Sequence, residues 1–248
     1  MGQDTVQGPG LSGPARAAAM PAIVDVWWML AASAGQGQAE DAALLDGAEL
    51  ARAGRFRFER DRLRFIARHA FARRVLARYL ETTPAAVPVH VAASGRPWLE
   101  PSGGLSYNTS HADDLSVVAV TRGSSVGVDI ETVHPVAEAL DIAEGMFAAS
   151  EVALLRALPT VARSRAFLTL WTRKESVVKA TGAGRSSPLD GVDVSVRDGR
   201  GVGRPLGADG PLPFVTAELD APAGYVGAVT VEGERVAARD RGTEASDR

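Results

Sequence analysis

The chain contains the stretch Gly127-Val128-Asp129-Ile130-Glu131, which predicts a short β-strand with two apolar and two acidic side chains. Side chains two apart on a strand point to the same face, so Asp129 and Glu131 project together while Val128 and Ile130 enter the core. Two carboxylates that face one spot repel each other unless a cation lies between them. We therefore expect oxygen ligands for Mg²⁺, with Mn²⁺ as a second candidate; the alternative is a polar edge strand that faces solvent.

A predicted helix over 164–180 carries a third acidic group in the run Trp171-Thr172-Arg173-Lys174-Glu175-Ser176-Val177-Val178-Lys179. At 3.6 residues per turn, Trp171, Glu175 and Lys179 share one side of that helix. Glu175 is a candidate metal ligand or general base, and Lys179 is a candidate phosphate contact. The alternative is a surface ion pair that stabilises the helix beside a core tryptophan.

A third segment, Tyr107-Asn108-Thr109-Ser110-His111, combines a hydroxyl with an imidazole. These groups can bind phosphate oxygens. A nucleophilic Ser-His pair is disfavoured because adjacent residues do not ordinarily form one. The alternative is a structural histidine in a turn, held by Asp113 or Asp114.

Basic residues are concentrated in one segment, although the formal net charge of the chain is -3. Ten arginines lie between Arg52 and Arg78, against two acidic residues, Glu59 and Asp61. Such a segment favours an anionic partner met at one place, or else a solvated helix face. The phenylalanines among these arginines are at least as well explained by a core as by base stacking, so nucleic acid is not favoured.

The composition excludes several classes of protein. The chain has 46% hydrophobic residues and no cysteine, which excludes a disordered polyelectrolyte, a disulfide framework and thiol chemistry, and favours a cytoplasmic protein. An uncharged apolar run of the roughly 18 residues that a membrane span needs is absent from the sequence. We therefore expect neither a membrane anchor nor a signal peptide.

The pattern of the chain predicts an α+β protein built from two half-size lobes. Strands are expected at 22–30, 192–196, 213–219 and 225–231, and helices at 48–80, 137–158 and 164–180, with a break near 147–150. The runs 115–120 and 126–130 predict a β-hairpin around the turn between them. The expected division is a disordered leader (1–20), an N-terminal lobe (21–122), a C-terminal lobe (126–236) and a flexible tail (237–248).

Taken together, five segments resemble the 4′-phosphopantetheinyl transferase superfamily in its larger, surfactin-type branch, in order and in spacing. They are Phe56 to Arg64, Ser94 to Pro97, Asn108 to His111, Gly127 to Glu131, and Trp171 to Lys179. The resemblance implies two similar α+β lobes related by pseudo-twofold symmetry, an active site in the cleft between them, and a monomer.

The resemblance also implies a reaction. A serine hydroxyl of an apo acyl or peptidyl carrier protein attacks coenzyme A in the presence of Mg²⁺, takes up the 4′-phosphopantetheine arm and releases 3′,5′-adenosine bisphosphate. The pathway of the carrier, whether fatty acid, polyketide or nonribosomal peptide, stays open. Two alternatives stay open as well: a non-catalytic module that binds carrier proteins or nucleotides, and a metal-dependent phosphohydrolase.

Each site residue is implied by its match to a family motif. Asp129, Glu131 and Glu175 would hold the metal, and Glu175 or a water that it orients would be the base. The residues implied in binding coenzyme A are Arg52, Arg64, Arg96, Pro97, Ser110, His111, Lys174 and Lys179. Lys174 would support the site, and Glu151 matches a further acidic position near it. The chain departs from the pattern at Glu49, where the family has a basic residue.

Overall fold

The computed structural model of the protein describes residues 21–30, 37–92, 95–182, 189, 192–194, 196–197, 200–205, 214–233 and 235–243. The predicted leader therefore lies outside the described residues. In chain order the elements are β1 (Ala22–Leu30), α1 (Gln38–Ala43), α2 (Gly47–Ala53), α3 (Glu59–Leu80), β2 (Val89–Val91), β3 (Pro97–Leu99), β4 (Leu105–Ala112), β5 (Leu115–Arg122), β6 (Val126–Thr132), α4 (Ala139–Met146), α5 (Ala149–Ala157), α6 (Thr160–Thr181), β7 (Val192–Asp193), β8 (Val196–Arg197), β9 (Arg200–Pro205), β10 (Phe214–Glu218), β11 (Tyr225–Glu232) and β12 (Val236–Thr243).

Two halves of the chain repeat one connectivity, which confirms the predicted α+β fold. The first half runs β1, α3, β4, β5 and the second runs β6, α6, β10, β11, each a strand, a 22-residue helix and a hairpin. In the first sheet the order is β12-β1-β5-β4, and in the second it is β6-β11-β10-β9-β7. In both, the third strand of the repeat pairs antiparallel with the first and the second.

The predicted hairpin between 115–120 and 126–130 is wrong, although both runs are strands. β5 is buried along nearly its whole length and pairs with β1 on one edge and β4 on the other. Since both edges of β5 are occupied, β6 cannot pair with it and instead begins the second sheet beside β11. The hairpin is formed one strand earlier, by β4 and β5, and the turn after β5 connects the two sheets.

The helices follow the predicted apolar spacing, with one difference. The helix expected over 48–80 is divided, because α2 ends at Ala53 and α3 begins only at Glu59. The break near 147–150 is confirmed by the ends of α4 and α5. α6 ends at Gly182, whose φ of 72° lies in the left-handed region that glycine adopts readily. No helix within the described ranges is both long and apolar enough to cross a membrane.

The segment predicted to be a flexible tail is instead a strand over most of its length. β12 pairs in parallel with β1, so the chain returns from the second lobe to the sheet of the first. The reason lies in Asp25 of β1, which is only 5% exposed. Its carboxylate accepts hydrogen bonds from Arg239 Nε at 2.8 Å, Arg241 Nε at 2.9 Å and the Tyr79 hydroxyl at 2.8 Å. The limits of the two lobes stay a prediction.

We predict that Asp25→Asn destabilises the protein by about 1–3 kcal/mol at pH 7, because two arginines lose their buried charged acceptor. Burial by itself would raise the pKa of Asp25, but the bonds from Arg241, Tyr79 and Arg239 outweigh it and lower the pKa below 3.8. The difference in stability between parent and variant should therefore have its full size above pH 3.8. It should disappear at lower pH, as acid protonates Asp25 in the parent. Urea unfolding across pH measures this, with the exposed Asp240→Asn as control. An equal loss at every pH, or none, would contradict the account.

Candidate active site

The candidate site lies where the edge strand β4 of the first sheet meets β6 of the second. The Val128 backbone N–H donates to the side-chain oxygen of Asn108 at 3.0 Å, so a side chain of one lobe completes the hydrogen bonding of a strand in the other. Asn108 is buried, and its hydrogen bond fixes the position of β6 along β4. The register of the two lobes is therefore set beside Asp129.

Gly127 allows α6 to approach β6 closely. A Cβ atom at this position would lie 2.1 Å from the carbonyl oxygen of Ser176 and 2.4 Å from the backbone nitrogen of Ala180, distances that no side chain could tolerate. The missing side chain brings the backbone of the helix onto the strand. Lys179 is thereby brought directly against Asp129.

Asp129 is the centre of the site. Its Oδ1 atom accepts from Lys179 Nζ at 2.7 Å and from the Ser110 hydroxyl at 2.8 Å, and Lys179 also donates to the Val128 carbonyl at 3.0 Å. The residue is 5% exposed. Its Oδ2 atom is buried and has no hydrogen-bond partner within the described part of the chain. An unsatisfied buried carboxylate oxygen is costly, and it points to a missing donor or cation.

Glu131 lies on the same face of β6, and its pKa is raised to about 7. Partial burial is the largest cause, followed by repulsion from Asp129; Lys179 and His134 oppose the shift, and the charge of Glu175 adds to it. The carboxylate of Glu175 on α6 thus lies within electrostatic range of Glu131. The charges of Asp129 and Glu131 on the strand and of Glu175 on the helix therefore influence one another.

The carboxylates do not form a preassembled metal centre. Across the described ranges, no group of three or more His, Asp or Glu side chains lies close enough to hold a metal ion. The chemistry of the donors nevertheless fits a hard divalent cation, since carboxylate oxygens are its preferred ligands and Asp129 Oδ2 has an open coordination position. The ligand set Asp129, Glu131 and Glu175 stays a prediction.

Ser110 and His111 point to opposite faces of β4, because neighbouring strand residues alternate. Ser110 reaches Asp129, as described above, whereas His111 faces α3. Partial burial is the largest cause that lowers the pKa of His111, and the positive charges of Arg68 and Lys179 lower it further, to about 4. The imidazole is therefore neutral at pH 7 in a region with excess positive charge.

The other predicted contacts of coenzyme A are spread around this strand. Arg64 on α3 forms an ion pair with Asp114 in the β4–β5 turn. Arg96 packs against the end of α6, since a Cβ atom at Gly182 would lie 2.2 Å from its guanidinium. Pro97 is half-buried at the start of β3, directly after Arg96.

Arg52 lies further out. Its guanidinium lies 5.4 Å from the centre of the Phe65 ring, which also has the His69 imidazole at 3.9 Å and the Phe56 ring at 5.3 Å as neighbours. Neighbouring Glu49, the departure from the family pattern, bonds Arg73 Nε and His69 Nδ1 at 2.8 Å each. Burial opposes ionisation of Glu49, but His69 and Arg73 lower its pKa to about 2. The negative charge at this position is thus balanced by its neighbours.

Lys174 does not contact the cleft, and its predicted role in binding coenzyme A is corrected here. The side chain is 0% exposed and forms an ion pair at 2.7 Å with Glu151, which is itself buried. Its Nζ donates to the carbonyls of Leu189, at 3.0 Å, and Val192. The pair joins α5 to α6 within the core of the second lobe. Lys174 and Glu151 therefore support the helix that carries Glu175 and Lys179.

Comparison with known proteins agrees with this arrangement. The family model described as "4'-phosphopantetheinyl transferase superfamily" matches residues 125–230, and "4'-phosphopantetheinyl transferase, N-terminal" matches residues 36–123. The 4'-phosphopantetheinyl transferase HetI of Nostoc sp. is 35% identical over 161 residues, which cover 63% of this chain and 68% of that protein. The chain belongs to the 4′-phosphopantetheinyl transferase superfamily.

Two Bacillus subtilis proteins are also similar to this transferase. One 4'-phosphopantetheinyl transferase is 30% identical over 171 residues, covering 69% of this chain and 75% of that protein. The transferase Sfp of strain 168 is 28% identical over 147 residues, covering 59% and 64%. Similarity to Sfp agrees with the surfactin-type resemblance found in the motifs.

Sequence reasoning missed two residues that build the site of this transferase. The role of Gly127 has a signal in the sequence, since a glycine inside a strand indicates close backbone approach. Asn108 lies in a segment of the family pattern, but its own role cannot be derived from that segment, because it depends on a strand of the other lobe.

We predict that Glu131→Gln stabilises the metal-free transferase at pH 8, because it removes a carboxylate repelled by Asp129. The pKa of Glu131 is about 7 in the folded protein, above the ordinary value of 4.5, so the folded protein loses stability as the pH rises between these values. The gain should therefore disappear at pH 5, where the parent carries a largely protonated Glu131. Thermal unfolding in EDTA at both pH values measures it, and the exposed Glu232→Gln serves as control. Equal or lower stability of the variant at pH 8 would refute the electrostatic account.

We also predict that Lys174→Met costs about 3–5 kcal/mol of stability, because it leaves Glu151 charged and buried. The double variant Lys174→Met/Glu151→Gln should recover part of this loss, since no charge remains unpaired. Urea unfolding of the parent and both variants measures the effect. A Lys174→Met protein as stable as the parent, but with weaker affinity for coenzyme A, would restore the ligand-binding role.

Proposed function

We propose that the transferase moves the 4′-phosphopantetheine arm of coenzyme A to a serine of an apo acyl or peptidyl carrier protein. The serine oxygen forms a bond to the β-phosphorus of coenzyme A, and the bond from that phosphorus to the bridging oxygen breaks. The products are the holo carrier and 3′,5′-adenosine bisphosphate. The proton of the serine hydroxyl goes to a carboxylate base.

One observation supports the proposal above the others: Asp129 is buried, bonded through one oxygen to Lys179 and Ser110, and open at the other. A buried carboxylate beside an ammonium group is suited to hold a cation against a pyrophosphate. Asp129, Glu131 and Glu175 would hold Mg²⁺ or Mn²⁺. When bound, the ion would offset the charge that develops on the phosphates.

The phosphates have cationic and hydroxyl partners in this chain. Lys179 keeps 27% of its side chain exposed, so its ammonium group can turn from Asp129 toward a phosphoryl oxygen. Ser110 donates from the same side. Since positive charge near developing negative charge stabilises the transition state more than the ground state, Lys179 is assigned a catalytic role.

The base is assigned to Glu175 or to a water that it orients. Its helix neighbour four residues later is Lys179, so the acceptor of the proton and the partner of the phosphates share one side of α6. Asp129 is already committed to Lys179 and Ser110. Glu175 is half-buried and therefore accessible to an incoming hydroxyl.

The remaining partners are also proposals. Arg52 of α2 and Arg64 of α3 would bind coenzyme A, and exposed arginines of the same segment would contact the acidic surface of a carrier. We propose that the transferase acts as a monomer, without nucleic acid or membrane partners, and the cysteine-free composition supports a cytoplasmic setting.

The experiment incubates the purified transferase with Mg²⁺, coenzyme A and a panel of apo carriers of the fatty acid, polyketide and nonribosomal peptide types. We expect at least one carrier to gain the mass of one phosphopantetheine arm, and omission of the metal to abolish the gain. If no carrier gains mass, the proposal is wrong. Release of adenosine bisphosphate without any carrier would instead identify a phosphohydrolase.

We predict that Glu175→Gln lowers kcat/KM by about 10²-fold or more without unfolding the protein, because the amide can neither accept the proton nor carry the charge. Initial rates of carrier modification measure it, together with a thermal unfolding curve for the variant. Glu144→Gln, an exposed glutamate of the same lobe, is the matched control and should keep the parental rate. A Glu175→Gln enzyme as fast as the parent would remove Glu175 from the mechanism.

A further inference from the structure

The ammonium group of Lys179 lies inside the carboxylate site where a divalent cation is proposed to bind. Its Nζ atom is 2.7 Å from Asp129 Oδ1, 3.0 Å from the Val128 carbonyl oxygen and 3.2 Å from the Ser110 hydroxyl oxygen. An ammonium group has three N–H donors, so these three acceptors use all of them. Lys179 is therefore bonded to Asp129 as its counter-ion.

The side chain of Lys179 can leave Asp129 although the helix that carries it cannot. A Cβ atom at Gly127 would lie 2.1 Å from the carbonyl oxygen of Ser176, so the backbones of α6 and β6 are in direct contact. The Lys179 side chain is 27% exposed, and its four-carbon stem is flexible. The ammonium group can thus turn away from Asp129 by side-chain rotation while α6 stays in place.

A divalent cation on Asp129 meets this ammonium group as a like charge. Only 8% of the Asp129 side chain is exposed, so water screens the repulsion weakly there. Lys179 also acts on Glu131, since its positive charge opposes the rise in the pKa of that carboxyl. The ammonium group therefore competes with a metal ion for the charge of both carboxylates on β6.

The pyrophosphate of coenzyme A offers Lys179 another partner. A lysine ammonium binds phosphate oxygens as a flexible point charge. When Lys179 turns to a phosphate oxygen, the negative charge of Asp129 becomes available to a cation. A ligand that attracts Lys179 thus raises the affinity for the cation, and by linkage the cation raises the affinity for that ligand by the same factor.

We infer that Lys179 competes with the divalent cation for Asp129 until coenzyme A attracts it, so that the cation and coenzyme A bind to the transferase cooperatively. The inference rests on the proposed function for the identity of the ligand. It adds a role for Lys179 before the chemical step, as the residue that makes tight metal binding depend on coenzyme A.

Electron paramagnetic resonance of Mn²⁺, titrated into the full chain with and without coenzyme A, tests the inference. In the parent, coenzyme A should lower the Kd of Mn²⁺ about 10-fold or more, within the usual range of coupling between two sites. In Lys179→Met, the Kd of Mn²⁺ without coenzyme A should be about 10-fold or more below that of the parent, because no ammonium group repels the ion. The effect of coenzyme A on this Kd should be smaller in the variant than in the parent.

The controls separate the position of the charge from its presence. Arg165→Met removes a positive charge from an exposed position near the other end of α6 and should bind Mn²⁺ as the parent does. Lys179→Arg keeps the charge and should bind Mn²⁺ without coenzyme A more weakly than Lys179→Met. Thermal unfolding in EDTA shows whether each variant is folded. Lys179→Gln, which retains a donor for Asp129, carries the same prediction if Lys179→Met is unfolded.

The possible outcomes distinguish this inference from the proposed function. A folded Lys179→Met protein that binds Mn²⁺ without coenzyme A no more tightly than the parent overturns the competition and leaves the proposed function intact. A parent with the same affinity for Mn²⁺ in both conditions overturns it as well. A parent that binds no coenzyme A in an isothermal titration contradicts the proposed function itself.

Discussion

The structure depends on a carboxylate that is buried where two lobes meet. Asp129 is 5% exposed, and its partners come from elements far apart in sequence: Lys179 from α6 and Ser110 from β4. Two further residues position the backbone around Asp129. The side chain of Asn108 accepts a hydrogen bond from β6, and Gly127 allows α6 to pack closely against that strand. One oxygen of Asp129 is still unsatisfied. We propose that this oxygen binds a cation.

The charges around the strand β4 are divided between its faces. On the side of β6, burial and then repulsion from Asp129 raise the pKa of Glu131 to about 7. On the side of α3, basic groups help to lower the pKa of His111 to about 4. Each face thus holds like charges that an oppositely charged ligand would relieve. A bound cation on the acidic face and an anionic group on the basic face would relieve both repulsions.

The local sequence pattern predicted the directions of side chains within single strands and helices. The alternation around Asp129 and the spacing of Glu175 and Lys179 predicted their faces because period decides direction within one element. What failed needed knowledge of partners. The predicted hairpin of β5 and β6 is wrong because both edges of β5 are already paired with other strands. The strand β12 was not predicted because its arginines bind a carboxylate in β1, more than two hundred residues away in the sequence. The sequence motif predicted that Lys174 contacts the ligand. The structure shows that it forms a buried ion pair with Glu151 instead.

The central claim is that Asp129 holds a divalent cation together with carboxylates from the strand and the helix. Electron paramagnetic resonance of Mn²⁺, titrated into the parent and into Asp129→Ala with coenzyme A present, tests it most directly. The account predicts one tightly bound ion per chain in the parent and none in the variant, while thermal unfolding shows both to be folded. A variant that binds Mn²⁺ as tightly as the parent would contradict it.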